Sequence, residues 1–164
     1  MSIRKAVGAI IKWNGNYILV HKAANSNKNL PIAQSGAWDF VKGGVKAGES
    51  FENTLKRELY EELSITDYRI IKRISKPLTF YFPSGLPYEK QETVFYIVEL
   101  IGSCLSINVD GNEIDQYVCL KEEQVLHWLT HKETQEYFAA VQSWVKHAIT
   151  LKGTVQPAPF AKPR

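Results

Sequence analysis

GGVKAGESFENTLKRELYEELSI, residues 43–65, places Glu58, Glu61 and Glu62 within five positions of one another in a chain whose net charge is +3. From Ser50 to Leu63 the apolar residues Phe51, Leu55, Leu59 and Leu63 recur every four positions, which predicts a helix with one buried stripe. Ser50 is placed to be its N-cap, although no Glu or Gln follows three residues on to complete a capping box. On that helix Glu58 lies four residues from Glu62 and three from Glu61. The three carboxylates therefore project from neighbouring points of what reads as the exposed face. Like charges at this spacing cost roughly 0.2–0.5 kcal/mol per pair on an isolated helix. A solvated face relieved by Lys56 and Arg57 is one reading. The other comes from what precedes the helix: Gly43, Gly44 and Gly48 read as a flexible loop whose backbone can approach a ligand closely. Main-chain carbonyls beside three carboxylates form a hard-oxygen environment suited to Mg2+ or Mn2+. That combination points to metal-dependent phosphoryl chemistry.

Outward from the helix, residues 5–13 and 16–22 flank Asn14-Gly15, a dipeptide that supplies the positive φ angles of a two-residue turn. The first two strands are therefore expected to be antiparallel. The polar stretch 23–36 is expected to be a loop, and Trp38 to Val41 a short strand running into a glycine-rich turn. Residues 68–76 and 92–101 are further strands, the second rich in β-branched and aromatic residues, with a loop or irregular hairpin between them. Beyond Val118, EEQVLHWL and KETQEYFAAVQSWVKHAI have helical periodicity. The tail 152–164 carries prolines without periodicity and is expected to be disordered. The early hairpin excludes a purely parallel sheet. The interleaved elements imply one domain, residues 1–151, of α/β class, with a mixed sheet covered by helices on both faces.

Composition agrees with a single globular domain: 164 residues, 45% hydrophobic and 12% aromatic, suffice for a sizeable core. The mild positive charge permits a polyanionic ligand without demanding nucleic acid. Cys104 and Cys119 give neither a disulfide framework nor a C-x-x-C spacing, and are expected to be buried reduced thiols. His127 and His131, four apart on a predicted helix, lack a third ligand and the following Glu of a zinc motif; His21 and His147 carry no readable signal. Arg4 and Lys5 precede an apolar run, but Lys12 ends it too soon for a signal peptide. No apolar stretch reaches 18 residues, so a cytoplasmic protein with no membrane partner is expected.

The opening stretch resembles the box of the Nudix hydrolase family, G-x5-E-x7-R-E-U-x-E-E-x-G-U with U aliphatic. Gly43, Glu49, Arg57, Glu58, Leu59, Glu61, Glu62 and Ile65 occupy every defined position but one, where Ser64 replaces glycine. Average residue usage puts a chance match at about 1 in 10^8 per start position, so the box sets the family expectation although it covers residues 43–65 alone. Serine after a helix end forgoes glycine's left-handed freedom, at around 1 kcal/mol.

The resemblance implies the Nudix fold, an α/β/α sandwich around a mixed sheet, and hydrolysis of nucleoside diphosphates linked to another moiety. It implies that Glu58, Glu61 and Glu62 coordinate divalent ions (Mg2+ or Mn2+) with a main-chain carbonyl near Gly43, and that Arg57 pairs with Glu49 to orient the helix. The general base would be Glu61, Glu62 or a carboxylate of a later loop, with Glu113 the candidate there and Asp110 and Asp115 its rivals. The lead-in WDFVKGGVKAGES is most similar to the branch holding RNA pyrophosphohydrolases and dinucleoside polyphosphate hydrolases, with Val41 where proline is common. By that likeness Lys42, Lys90 and Gln91 would contact phosphates, and Phe80, Tyr81, Phe82 or Tyr88 would stack on a base; an ordinary exposed lysine and aromatics that merely pack are the alternatives. The substrates implied are dinucleoside polyphosphates or 5'-triphosphorylated RNA ends. Simple triphosphates or nucleotide sugars, or a non-catalytic nucleotide-binding module, are the other readings.

Overall fold

The computed structural model describes residues 2–23 and 36–150, with side chains as far as Val145. The expected loop at 23–36 lies almost wholly outside the described residues, and the expected disordered tail lies wholly outside them.

Asn14 (φ 50°) and Gly15 (φ 80°) make the tight turn that pairs β1 (Ile3–Trp13) antiparallel with β2 (Asn16–Lys22). β1 takes two partners along one edge. Ile11 to Trp13 pair with β2, while Ala6 to Ala9 pair antiparallel with β4 (Val41–Gly44). β2 diverges and takes β3 (Trp38–Asp39) instead. Phe40 fills the fork, fully buried with its ring against Phe95 and Phe138. The glycine-rich turn expected after Val41 is thus corrected: Gly43 and Gly44 are strand, laddered to Val7 and Ala6, and the loop begins at Val45. Glycine stands in this strand because two side chains, Glu58 and Arg4, crowd onto its backbone.

β7 (Lys90–Leu100) runs parallel to β1 on the other edge, from Ile3 opposite Lys90 to Lys12 opposite Glu99. Its far edge carries β5 (Tyr68–Arg73) and β6 (Leu78–Tyr81), both antiparallel. β8 (Ile114–Leu120) pairs antiparallel with β2.

Strand alternation sorts the side chains into two cores. Val7, Ala9 and Ile11 of β1 join Leu55, Leu59 and Leu63 of α1 (Phe51–Leu63) on one face. Ile10, Phe95 and Ile97 join Val125 of α2 (Glu122–Trp128) and Tyr137, Phe138 and Val141 of α3 (Lys132–Thr150) on the other. The result is the expected α/β/α sandwich around a mixed sheet. Ser50 caps α1, its hydroxyl accepting from the Asn53 N–H at 3.1 Å. Cys104 and Cys119 are free but exposed, not buried as expected: one sits in the loop after β7, the other in β8, which buries only its end residues Ile114 and Leu120. Among the described residues no helix is long and apolar enough to cross a membrane.

Gly8 faces Phe95 so closely that a Cβ would stand 2.4 Å from the ring. Gly8→Ala is therefore expected to destabilise the fold by about 1–3 kcal/mol through overpacking. The check is a lowered urea midpoint at unchanged slope.

Candidate metal centre

One side chain ties β4, the following loop and α1 together. Arg57 Nε and Nη2 donate to the two oxygens of Glu49 at 2.7 and 2.8 Å, and Nη2 also donates to the Gly44 carbonyl at 3.0 Å. Its Nη1 donates to Glu58 Oε1 at 2.7 Å and to Glu61 Oε2 at 3.3 Å. Glu49 accepts further bonds from the Thr54 hydroxyl (2.6 Å) and the Lys46 N–H (3.2 Å). Arg57 and Thr54 together hold the Glu49 carboxyl well below the usual carboxylate range.

Glu58 and Glu62 do not lie on a solvated face: they are 7% and 2% exposed. Glu58 lies flat on Gly43, where a Cβ would stand 1.9 Å from its carboxyl carbon. Both Glu62 oxygens are buried without a hydrogen-bond partner. Glu113, just before β8, completes the group, with one oxygen from each of Glu58, Glu62 and Glu113 within 4.8 Å of the others. Burial pushes the Glu62 carboxyl well above the ordinary range, opposed by Lys22 and reinforced by Glu58 and Glu113. Burial raises Glu58 as well, against the pull of Arg57. An unpaired buried acceptor costs roughly 1–3 kcal/mol, and more when charged. Three converging carboxylates form a hard-oxygen donor set that fits a divalent ion.

The other carboxylates singled out in the sequence sit elsewhere. Glu61 is half exposed and turned to Arg57, outside the converging group. Asp115 pairs with His21 Nδ1 at 2.6 Å, and Asp110 accepts the N–H groups of Asn112, Glu113 and Ile114.

On the opposite face of β4, Lys42 Nζ binds Asp39 at 2.7 Å. Both line an open cavity of about 420 Å³, walled by Phe80, Tyr81 and Phe82 and by His131 and Thr134 near the start of α3. His131 thus stands in the link before α3 while His127 lies in α2, so no single helix carries both.

Arg4 escaped the sequence reading, which took it only as a charge before an apolar run. Its guanidinium lies against Gly44, donates to the Gln91 side-chain oxygen, and feels the charges of Glu58 and Glu113. Its partners are 40 and 87 positions away, a relation no local pattern carries. Gln91 is buried and its amide also donates to the Thr93 hydroxyl at 3.0 Å, so both ends of that amide are engaged inside the protein. Lys90 binds Glu92 at 3.0 Å. Tyr81 and Tyr88 are exposed.

Residues 2–144 match the NUDIX domain. The chain belongs to the Nudix family. It is 31% identical over 111 residues to the RNA pyrophosphohydrolase of Campylobacter jejuni, a match covering 64% of this chain and 71% of that one. Two solved structures have the same fold. A C. elegans Ap4A hydrolase binary complex gives a TM-score of 0.68 at 15% identity, covering 88% of this chain and 98% of that one. The NUDIX domain of Shewanella oneidensis NrtR, complexed with ADP ribose, gives 0.62 at 16%, covering 88% and 90%. Nudix hydrolases generally need a divalent metal, and the converging carboxylates of this Nudix chain are hard-oxygen donors of the kind that hold one.

Two outcomes follow from the charge arrangement. In ion-free buffer Glu62→Gln is expected to melt at a higher temperature than wild type, because the cost of burying an ionisable carboxyl is removed. Added Mg2+ at 100 times its Kd should stabilise wild type by about 2.7 kcal/mol and the variant hardly at all; a wild-type melting temperature indifferent to divalent ions would contradict the site. Glu49, by contrast, is held ionised, so its contribution is complete above the ordinary glutamate range and is lost as pH falls far below it. Glu49→Gln should lower stability at neutral pH and flatten the acid limb of the stability curve.

Proposed function

We propose that this Nudix hydrolase cleaves pyrophosphate linkages in dinucleoside polyphosphates or 5'-triphosphorylated RNA ends, with Mg2+ or Mn2+ held by Glu58, Glu62 and Glu113. The observation that carries this reading is the pair of partnerless Glu62 oxygens, buried beside Glu58 and Glu113. A divalent ion bound there supplies charge neutralisation at phosphate oxygens and a water of lowered pKa.

The protein's own groups do the rest. Arg4 offers a fork suited to bidentate phosphate contact, and Lys42 a point charge. A polyphosphate laid along Gly43 and Gly44 would meet these cations from the α3 side and the carboxylates from the α1 side. Beyond Lys42 the cavity of about 420 Å³ has the size of a small-molecule site, with Phe80, Tyr81 and Phe82 to stack on a base. Lys90 and Tyr88 stand at the Arg4 end, where they can meet the distal part of the substrate. Glu113, exposed where Glu58 and Glu62 are buried, would hold the ion through one oxygen and, as the assigned general base, take the water's proton with the other; Glu61, held by Arg57 at the rim, is the second candidate. The name of the Campylobacter relative supports an RNA 5' end among the substrates. Such substrates, together with the free thiols of Cys104 and Cys119, support a cytoplasmic location.

The test is incubation with Mg2+ and a panel of diadenosine tetraphosphate, 5'-triphosphate RNA, simple triphosphates and nucleotide sugars, with products identified by mass. Cleavage of one of the first two is expected, falling about a thousand-fold in Glu62→Gln, the several kcal/mol that a catalytic metal supplies. Preference for a simple triphosphate or a nucleotide sugar would overturn the substrate assignment. Nucleotide binding without any turnover would make the chain a binding module. Phe80→Ala should raise KM roughly 5- to 150-fold with kcat little changed, the range of one base–aromatic stack.

A further inference from the structure

The loop between β7 and β8 carries Glu113 and is fastened to the helix that carries the other two carboxylates. Leu105, Ile107 and Val109 pack onto the α1-side core, which lays the loop across the C-terminal end of α1. There the Asn108 N–H donates to the Leu63 carbonyl (3.0 Å) and the Asp110 N–H to the Glu62 carbonyl (3.1 Å). These are two of the carbonyls that a helix end leaves without an intrahelical partner. Ser64, in the left-handed conformation at φ 58°, closes the helix through its N–H to the Tyr60 carbonyl (2.9 Å) and turns its hydroxyl toward the Asn108 carbonyl at 3.4 Å. The residue that departs from the family box is thus in contact with the Glu113 loop.

Beyond Asp110 the chain reverses at Gly111 (φ 78°), and the Asp110 carboxylate gathers the reversed backbone. Its Oδ1 accepts from Asn112 (3.2 Å) and Ile114 (2.9 Å), and its Oδ2 from Glu113 (3.3 Å). The Glu113 carbonyl accepts from the Ala23 N–H at 2.9 Å. Glu113 is therefore pinned through its main chain on both sides while its side chain stays with Glu58 and Glu62.

We propose that Asp110 is a positioning residue for the ion site: without itself joining the carboxylate group, it sets the Glu113 carboxylate against Glu58 and Glu62. This rests on the ion site proposed above. An exposed turn left to itself would have to be ordered each time an ion bound, at an entropic cost that the Asp110 bonds remove in advance.

The test is Mn2+ binding by the full chain without substrate, read from the electron paramagnetic resonance signal of the free ion, so that turnover plays no part. Asp110→Ala is expected to raise the Mn2+ Kd about 10- to 100-fold, the usual effect of removing a group that orients a ligand. Asp110→Asn, which keeps one acceptor for the Ile114 N–H, should lose less, and it carries the test if the alanine variant does not fold. In a Glu113→Gln background Asp110→Ala should add nothing, because the effect passes through Glu113. An equal loss in both backgrounds, or no loss in either, overturns the proposal. Wild-type protein that takes up no Mn2+ removes the ion site itself, a distinct result.

Discussion

The guanidinium of Arg57 is the contact on which the site depends. It bonds β4 at the Gly44 carbonyl, the following loop at Glu49, and α1 at Glu58 and Glu61. A helix could dock on this sheet through Leu55, Leu59 and Leu63 alone, but apolar packing would not set its rotation finely enough to lay Glu58 on Gly43. The charge network is the orienting device: the guanidinium fork fixes direction as well as distance to three elements, whereas an N-cap such as Ser50, typically about 1 kcal/mol, acts on α1 alone. Because Arg57 answers Glu58 but does not reach Glu62, one buried carboxylate is hydrogen-bonded within the fold and the other is not.

The forked sheet then gives that arrangement two sides. β1 and β2 diverge, Phe40 fills the gap, and β4 runs along β1 with Gly43 turned to the helix carboxylates and Lys42 to the cavity. Lys42, paired with Asp39 on the cavity face, is thereby separated from the helix carboxylates by the strand itself. Glycine at 43 and 44 keeps the wall between them thin.

Much of this was legible in the sequence. Asn14-Gly15 named the hairpin because few residues tolerate its φ angles, and the four-residue recurrence from Phe51 to Leu63 named α1 because burial there is periodic. The box residues identified the family. What could not be read were relations across the sheet. Glycines look like a turn until the ladder to β1 is seen, and a helix pattern that counts only apolar residues assigns Glu58 and Glu62 to solvent although they flank the buried stripe. Spacing alone grouped Glu61 with them, whereas in the helix its side chain falls beside Arg57. Asp110, Glu113 and Asp115 were indistinguishable as acids in one loop, and only their bonding partners separate them.

The most direct measurement is an anomalous difference map from crystals soaked in Mn2+. The expected result is a peak within ligand distance of Glu62 and flanked by Glu58 and Glu113, with the Arg57–Glu49 pair intact beside it. A peak held instead by Glu61 and Glu49, or crystals that take up no ion while the three carboxylates stay together, would contradict the account.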